Sequence, residues 1–269
     1  MNIAISNIAW EHSEDNAVSK ILQKYEIKGI EIAPTKIWND PTTIRTEDAE
    51  IYKRYWEDKG IKIVAMQSLL FGHPELTVFE TAEKRKALLD YLTKIIHLAS
   101  LLGVTAMVFG SPKNRIKGNL IEEATYEISN DFFRKIGDVA QKYDIAFCIE
   151  ANPIVYGTDF LTTTQEVITF VKKVDHPNIN VHLDSGAMQI NKEDIEKTII
   201  SAQPFSHFHI SEPDLLYVPQ EVDHRAAAKA LQKINYNKWV SIEMRAGNTQ
   251  NNIPQIEKTL DFVIKTYCS

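Results

Sequence analysis

The chain has 269 residues, 44% of them hydrophobic and 25% charged, a composition that fills a full core and excludes a disordered tail. Acidic residues outnumber basic ones by 36 to 30, and the net charge of −6 argues against a partner held through phosphate contacts, so no nucleic acid is expected. Cys148 and Cys268 lie far apart with no CxxC spacing, which sets aside a disulfide framework or thiolate metal site and fits a reducing interior. No apolar run approaches the roughly 20 residues that span a bilayer, and MNIAISNIAWEHSE lacks the pattern of a secretory leader. A cytoplasmic protein with no membrane partner is expected.

Taken in chain order, short apolar or β-branched runs alternate with segments of helical periodicity. A strand at 2–7 precedes a helix at 14–26, then come strand 29–33, helix 45–59, strand 62–67 and helix 80–102. Strand 105–110, helix 122–143, strand 145–150, helix 161–174, strand 179–184 and helix 191–203 follow. The series ends with strand 205–210, helix 223–234, strand 239–244 and helix 252–267. The helix at 80–102 is the clearest, with Leu88, Leu89, Leu92, Ile95, Ile96 and Ala99 on one face and Lys84, Lys86 and Lys94 off it. Gly103 is placed to cap its C-terminus, as Gly60 is for the preceding helix.

Eight βα units without a linker predict an α/β protein, a closed (β/α)₈ TIM barrel forming a single domain over 1–269. An open doubly wound sheet is the alternative, but no G-x-G-x-x-G follows the first strand.

In such a barrel the reactive groups lie at the C-terminal ends of the strands. Strand five ends at Glu150 in CIEANP and strand six at Asp184 in VHLDSG, while strand seven carries His209 in HFHIS and strand eight Glu243 in SIEMR. One carboxylate at a strand end is more often an N-cap or a solvated side chain. Three on successive buried strands, with a histidine among them, ask for a common neutraliser, because each buried charge costs several kcal/mol unless paired. A divalent metal bound by Glu150, Asp184, His209 and Glu243 supplies one. The oxygen-rich set favours Mn²⁺, with Mg²⁺ and Co²⁺ as alternatives, and leaves room for a polyhydroxy ligand.

Strand alternation puts His182 on the side of Asp184 and His207 on that of His209, where they either orient the site or are satisfied core histidines. Gln67, Lys113, Arg115, Asn152, Glu212 and Arg245 follow strands on the same face and are, with His182, candidate substrate contacts; for GSPKNR the choice is between an anion or hydroxyl handle and a solvated turn. Trp10, Trp38 and Phe71 either wall a sugar pocket or pack.

From Ile145 to Gly247 these residues, and the strings IEANP, HLDSG, HFHISEP and SIEM, resemble the xylose isomerase-like barrels of the sugar phosphate isomerase and epimerase group, including the ketose 3-epimerases. That resemblance implies a divalent-metal-dependent isomerase or epimerase acting on a carbohydrate, free or phosphorylated, through proton abstraction next to a carbonyl and a metal-stabilised enediolate. Glu150 and Glu243 would be the catalytic acid/base pair as well as ligands, Asp184 and His209 ligands only. It also implies a homo-oligomer. The family's ketose-gripping positions hold Tyr156, Ala187 and Leu215 here instead of glutamate, histidine and arginine, which leaves the sugar open. A dehydratase on a polyol ketone and a non-catalytic sugar-binding barrel are the competing readings. The related abasic-site endonucleases gather several metals among many histidines, and eight histidines in an acidic chain set that class aside.

Overall fold

The computed structural model describes residues 1–247 and 252–268. Eight parallel strands close into a barrel: β1 (Asn2–Ser6), β2 (Gly29–Ile32), β3 (Lys62–Met66), β4 (Ala106–Phe109), β5 (Ala146–Ile149), β6 (Ile179–Asp184), β7 (His207–Ser211) and β8 (Trp239–Glu243). Each pairs with the next, and β8 returns to β1 through Asn2–Trp239 to Ile5–Ile242. The ladder is regular except between β2 and β3, where the register slips at Ile30/Glu31.

Around it lie α1 (Asp15–Lys24), α2 (Thr46–Glu57), α3 (Ala82–Leu102), α4 (Glu122–Gln141), α5 (Thr164–Val174), α6 (Ser185–Ile190), α7 (Ile195–Ser201), α8 (His224–Lys233) and α9 (Asn252–Tyr267). The periodic face of α3 is buried at Leu88, Leu92, Ile95, Ile96 and Ala99. The helix starts where the Thr81 side chain accepts from Lys84 N–H and stops at Gly103, whose φ of 81° few other residues adopt. No helix among the described residues is long and apolar enough to cross a membrane.

Two boundaries differ from the sequence expectation for local reasons. The helix expected from 161 starts at Thr164, because Thr163 and Glu166 form a reciprocal capping box that fixes its first turn. The segment after β6 holds two short helices where one was expected. Asp184 caps α6 by accepting from Ala187 N–H at 2.6 Å, and Asp194 caps α7 by accepting from Lys197 N–H at 3.0 Å. The first of these caps is one of the acids singled out above.

Candidate active site and metal centre

The strand register brings the four residues together. Asp184 pairs with His209 and Ser211 with Glu243 across neighbouring strands, so β6, β7 and β8 deliver their donors to one spot, and β5 adds Glu150. His209 is fully buried, and its Nδ1 lies 3.3 Å from Glu243 Oε2, 3.6 Å from Glu150 Oε1 and 3.7 Å from Asp184 Oδ2. It makes no well-directed hydrogen bond. Three carboxylates, each 10–14% exposed, thus surround one unpartnered ring nitrogen.

Other groups hold these donors in place. Asn152 Nδ2 donates to Glu150 Oε2 at 2.9 Å, and His182 Nε2 lies 3.3 Å from Glu150 Oε1. Ser211 Oγ donates to Asp184 Oδ2 at 2.6 Å while the other oxygen caps α6. A Cβ on Gly110 would lie 2.3 Å from Glu150 Oε2, so only glycine leaves that carboxylate its place. Behind His209, Nε2 faces the fully buried Glu31, at 3.2 Å from Oε1 and 3.1 Å from Oε2.

Burial and neighbouring charge drive the two glutamates apart. Burial would raise Glu150, but the close approach of His182 and His209 holds it well below the usual carboxylate range. Glu243 is pushed upward by burial, which the attraction of His209 only partly offsets and which Asp184 and Glu150 reinforce. Burial opposes charge on His209, yet Glu31 and Glu243 outweigh it and move its pKa well above the ordinary value. His182 is pushed down to about 4 by burial and by the charge of His209.

The residues present fit a divalent cation. Glu150, Asp184, His209 and Glu243 offer three carboxylates and one imidazole, and the unpartnered Nδ1 amid the three acids is the polar atom a cation would satisfy. Glu150, Asp184 and His209, with His182, have ligand atoms mutually within 4.8 Å. Beside them opens a cavity of about 500 Å³, within the roughly 300–1,000 Å³ typical of small-molecule sites.

Residues 20–266 match the model of the xylose isomerase-like TIM barrel family. The chain belongs to that family. It is 31% identical to the D-psicose 3-epimerase of Ruminiclostridium cellulolyticum over 133 residues, 48% of this chain and 45% of that one. It is 30% identical to the ketose 3-epimerase of Arthrobacter globiformis over 90 residues, 33% of this chain and 31% of that one. The matches therefore span less than half the length of these curated relatives. The crystal structure of D-psicose 3-epimerase with D-tagatose from Clostridium cellulolyticum H10 superposes with a TM-score of 0.82 over 99% of both chains at 19% identity, a likeness of fold.

Within this family barrel, Gln67, Asn152 and Arg245 line the cavity with Glu150, Asp184 and Glu243, as do Tyr156, Ala187 and Leu215. Other candidates are placed differently. Arg115 is fully buried and donates from Nη2 to the Glu150 carbonyl at 2.8 Å, so it is neither a handle for ligand nor a solvated turn but a clamp under the end of β5. Its burial pushes the guanidinium down to about 10. Lys113 is exposed and borders two neighbouring cavities, not this one, because its turn carries the side chain away from the barrel axis. Glu212 reaches the cavity wall, but its carboxylate accepts from the backbone N–H groups of Gln220, Glu221 and Val222 and meets His224 Nε2 at 2.9 Å, which staples a loop. His182 and His207 are buried beneath the donors and do not line the cavity. Trp10 packs in the core on Trp56, and neither it, Trp38 nor Phe71 lines the cavity.

The sequence reading missed Glu31, Ser211 and Ser241. The alternation rule that found His182 and His207 also puts Ser211 on the side of His209 and Ser241 on that of Glu243. Glu31 carried its own signal, a single acid inside the apolar run GIEIA.

Proposed function

We propose that the protein is a divalent-cation-dependent isomerase or epimerase of a carbohydrate or a related hydroxy-carbonyl compound. The observation that carries this reading is the convergence of Glu150, Asp184 and Glu243 on the unpartnered Nδ1 of His209. Asp184 and His209 hold the cation together with the two glutamates, and Mn²⁺ is the metal we favour, ahead of Mg²⁺ and Co²⁺. When bound, the cation supplies Lewis-acid polarisation of a carbonyl and the adjacent hydroxyl.

The chain's own groups then divide the work. Glu150 and Glu243 are the acid/base pair, one taking the proton from the carbon next to the carbonyl and the other returning one to the opposite face. Asn152 orients Glu150 through Oε2, and the Arg115 clamp fixes the backbone behind it. Gln67, Asn152 and Arg245 are the polar groups placed to grip the substrate. Tyr156, Ala187 and Leu215 at the gripping positions point to a sugar other than a free ketose of the usual kind.

Incubating the Mn²⁺-loaded protein with a panel of sugars and hydroxy-ketones in deuterated water tests the proposal. Solvent deuterium at the carbon next to the carbonyl, in a product that has otherwise kept its mass, is the expected result. A panel without exchange on any compound would leave a binder, and a product lighter by one water would make the protein a dehydratase.

A further inference from the structure

We infer that Glu31, on the opposite side of the barrel from the proposed donors, is the positioning residue that gives His209 its tautomer and aim. This rests on the metal reading above. Glu31 is 0% exposed in β2, and the one register slip of the β2–β3 ladder falls at Ile30/Glu31. Such a slip re-aims a side chain, here a carboxylate that would cost several kcal/mol to bury with nothing to do.

Its contacts state what it does. Oε1 lies 3.2 Å from His209 Nε2 and 3.3 Å from His207 Nε2, and Oε2 lies 3.1 Å from His209 Nε2 while accepting from Ser241 Oγ at 2.8 Å. A carboxylate only accepts, so when a cation takes the place of the Nδ1 proton, Glu31 holds the remaining proton on His209 Nε2 and keeps the Nδ1 lone pair facing Glu150, Asp184 and Glu243. The rings of His182 and His207 pack edgewise on His209 at 4.1 and 5.3 Å between centroids and fix its plane. Ring plane, and the nitrogen that keeps its proton, are thus set from behind. Ser241, paired in register with His209 on the neighbouring strand, completes the set by fixing the orientation of Glu31.

The test is a calorimetric Mn²⁺ titration of metal-stripped wild-type, Glu31→Gln and Ser241→Ala proteins. It is paired with ¹⁵N-histidine NMR of the Mg²⁺-loaded forms, with circular dichroism as the check on the fold. Glu31→Gln should weaken binding by about 10–100-fold. It should also shift the His209 Nε2–H signal of the Mg²⁺-loaded form, because a hydrogen bond to a carboxylate gives way to one to a neutral amide. Ser241→Ala should lose about threefold in the same direction. A folded Glu31→Gln protein with wild-type affinity and an unchanged His209 Nε2–H signal overturns the inference. Should that variant not fold, wild-type affinity in Ser241→Ala overturns it alone. Wild-type protein that binds neither cation overturns the functional reading as well, which separates the two failures.

Discussion

The two halves of the barrel use polar strand ends in opposite ways. At the ends of β1 to β3 the polar groups satisfy one another: Gln67 Nε2 donates to Ser6 Oγ at 2.7 Å, and Asn7 Oδ1 accepts from Ala33 N–H at 2.7 Å. At the ends of β5 to β8 three acids and an imidazole meet with more charge than partners. Closed hydrogen bonding holds one part of the mouth, Gln67 included, in a fixed shape, and concentrated, unbalanced charge marks the part where the proposed cation would sit. Glu31 belongs to the first half by position and to the second by contact.

The largest expected effect breaks the contrast at its source. Glu150→Gln and Glu243→Gln should each lower the rate of deuterium exchange by about 10²–10⁴-fold, with the circular dichroism of the barrel unchanged. Exchange at the wild-type rate in either variant would defeat its assignment as acid or base.

Glu212 sharpens the comparison, because it is an acid at the same mouth whose partners are complete. Glu212→Ala should destabilise the fold by about 3 kcal/mol in urea denaturation, the cost of opening a buried carboxylate–histidine pair. Burial would raise the folded pKa of Glu212, but His224 and the backbone N–H groups outweigh it and hold it below the ordinary 4.5. Stability from this lowering is present above pH 4.5 and is lost as the pH falls through the lower folded value, so the gap between variant and wild type should narrow there. A gap that widens in acid would contradict this.

Cation binding should stabilise the unbalanced half. At a free Mn²⁺ concentration of 100 times Kd the gain is about 2.7 kcal/mol, which should raise the thermal midpoint by roughly 5–10 °C and be reversed by a chelator. The smallest effect is steric. Gly110→Ala brings a methyl group into Glu150 Oε2 and should cost about 1–3 kcal/mol in stability, together with weaker Mn²⁺ binding in the same titration. Loss of stability without loss of binding would mean that the backbone moves and the carboxylate does not.

Much of this was legible before any coordinates. The eight βα units follow from hydrophobic periodicity, and Glu150, Asp184, His209 and Glu243 were found because a barrel's chemistry lies at strand ends. Arg115 was misjudged because Gly and Pro around a basic residue look like an exposed turn, whereas Arg115 folds back to the Glu150 carbonyl, a contact 35 residues away in sequence. Glu212 misled for the same reason, since its partners lie 8 to 12 residues further on in a loop without periodicity. Glu31 meets His209 across 178 residues, and the slip in register that aims it leaves no mark in composition.

Asp184 has two employers, the first turn of α6 and the proposed cation, and they constrain its replacement differently. Asparagine would serve the helix but not the charge; glutamate would keep the charge but, one methylene longer, would overshoot the 2.6 Å reach to Ala187 N–H. Selection for either task alone would tolerate exchange at this position. Selection for both leaves aspartate, so an asparagine here would keep the shape of the barrel while giving up a ligand of the proposed cation.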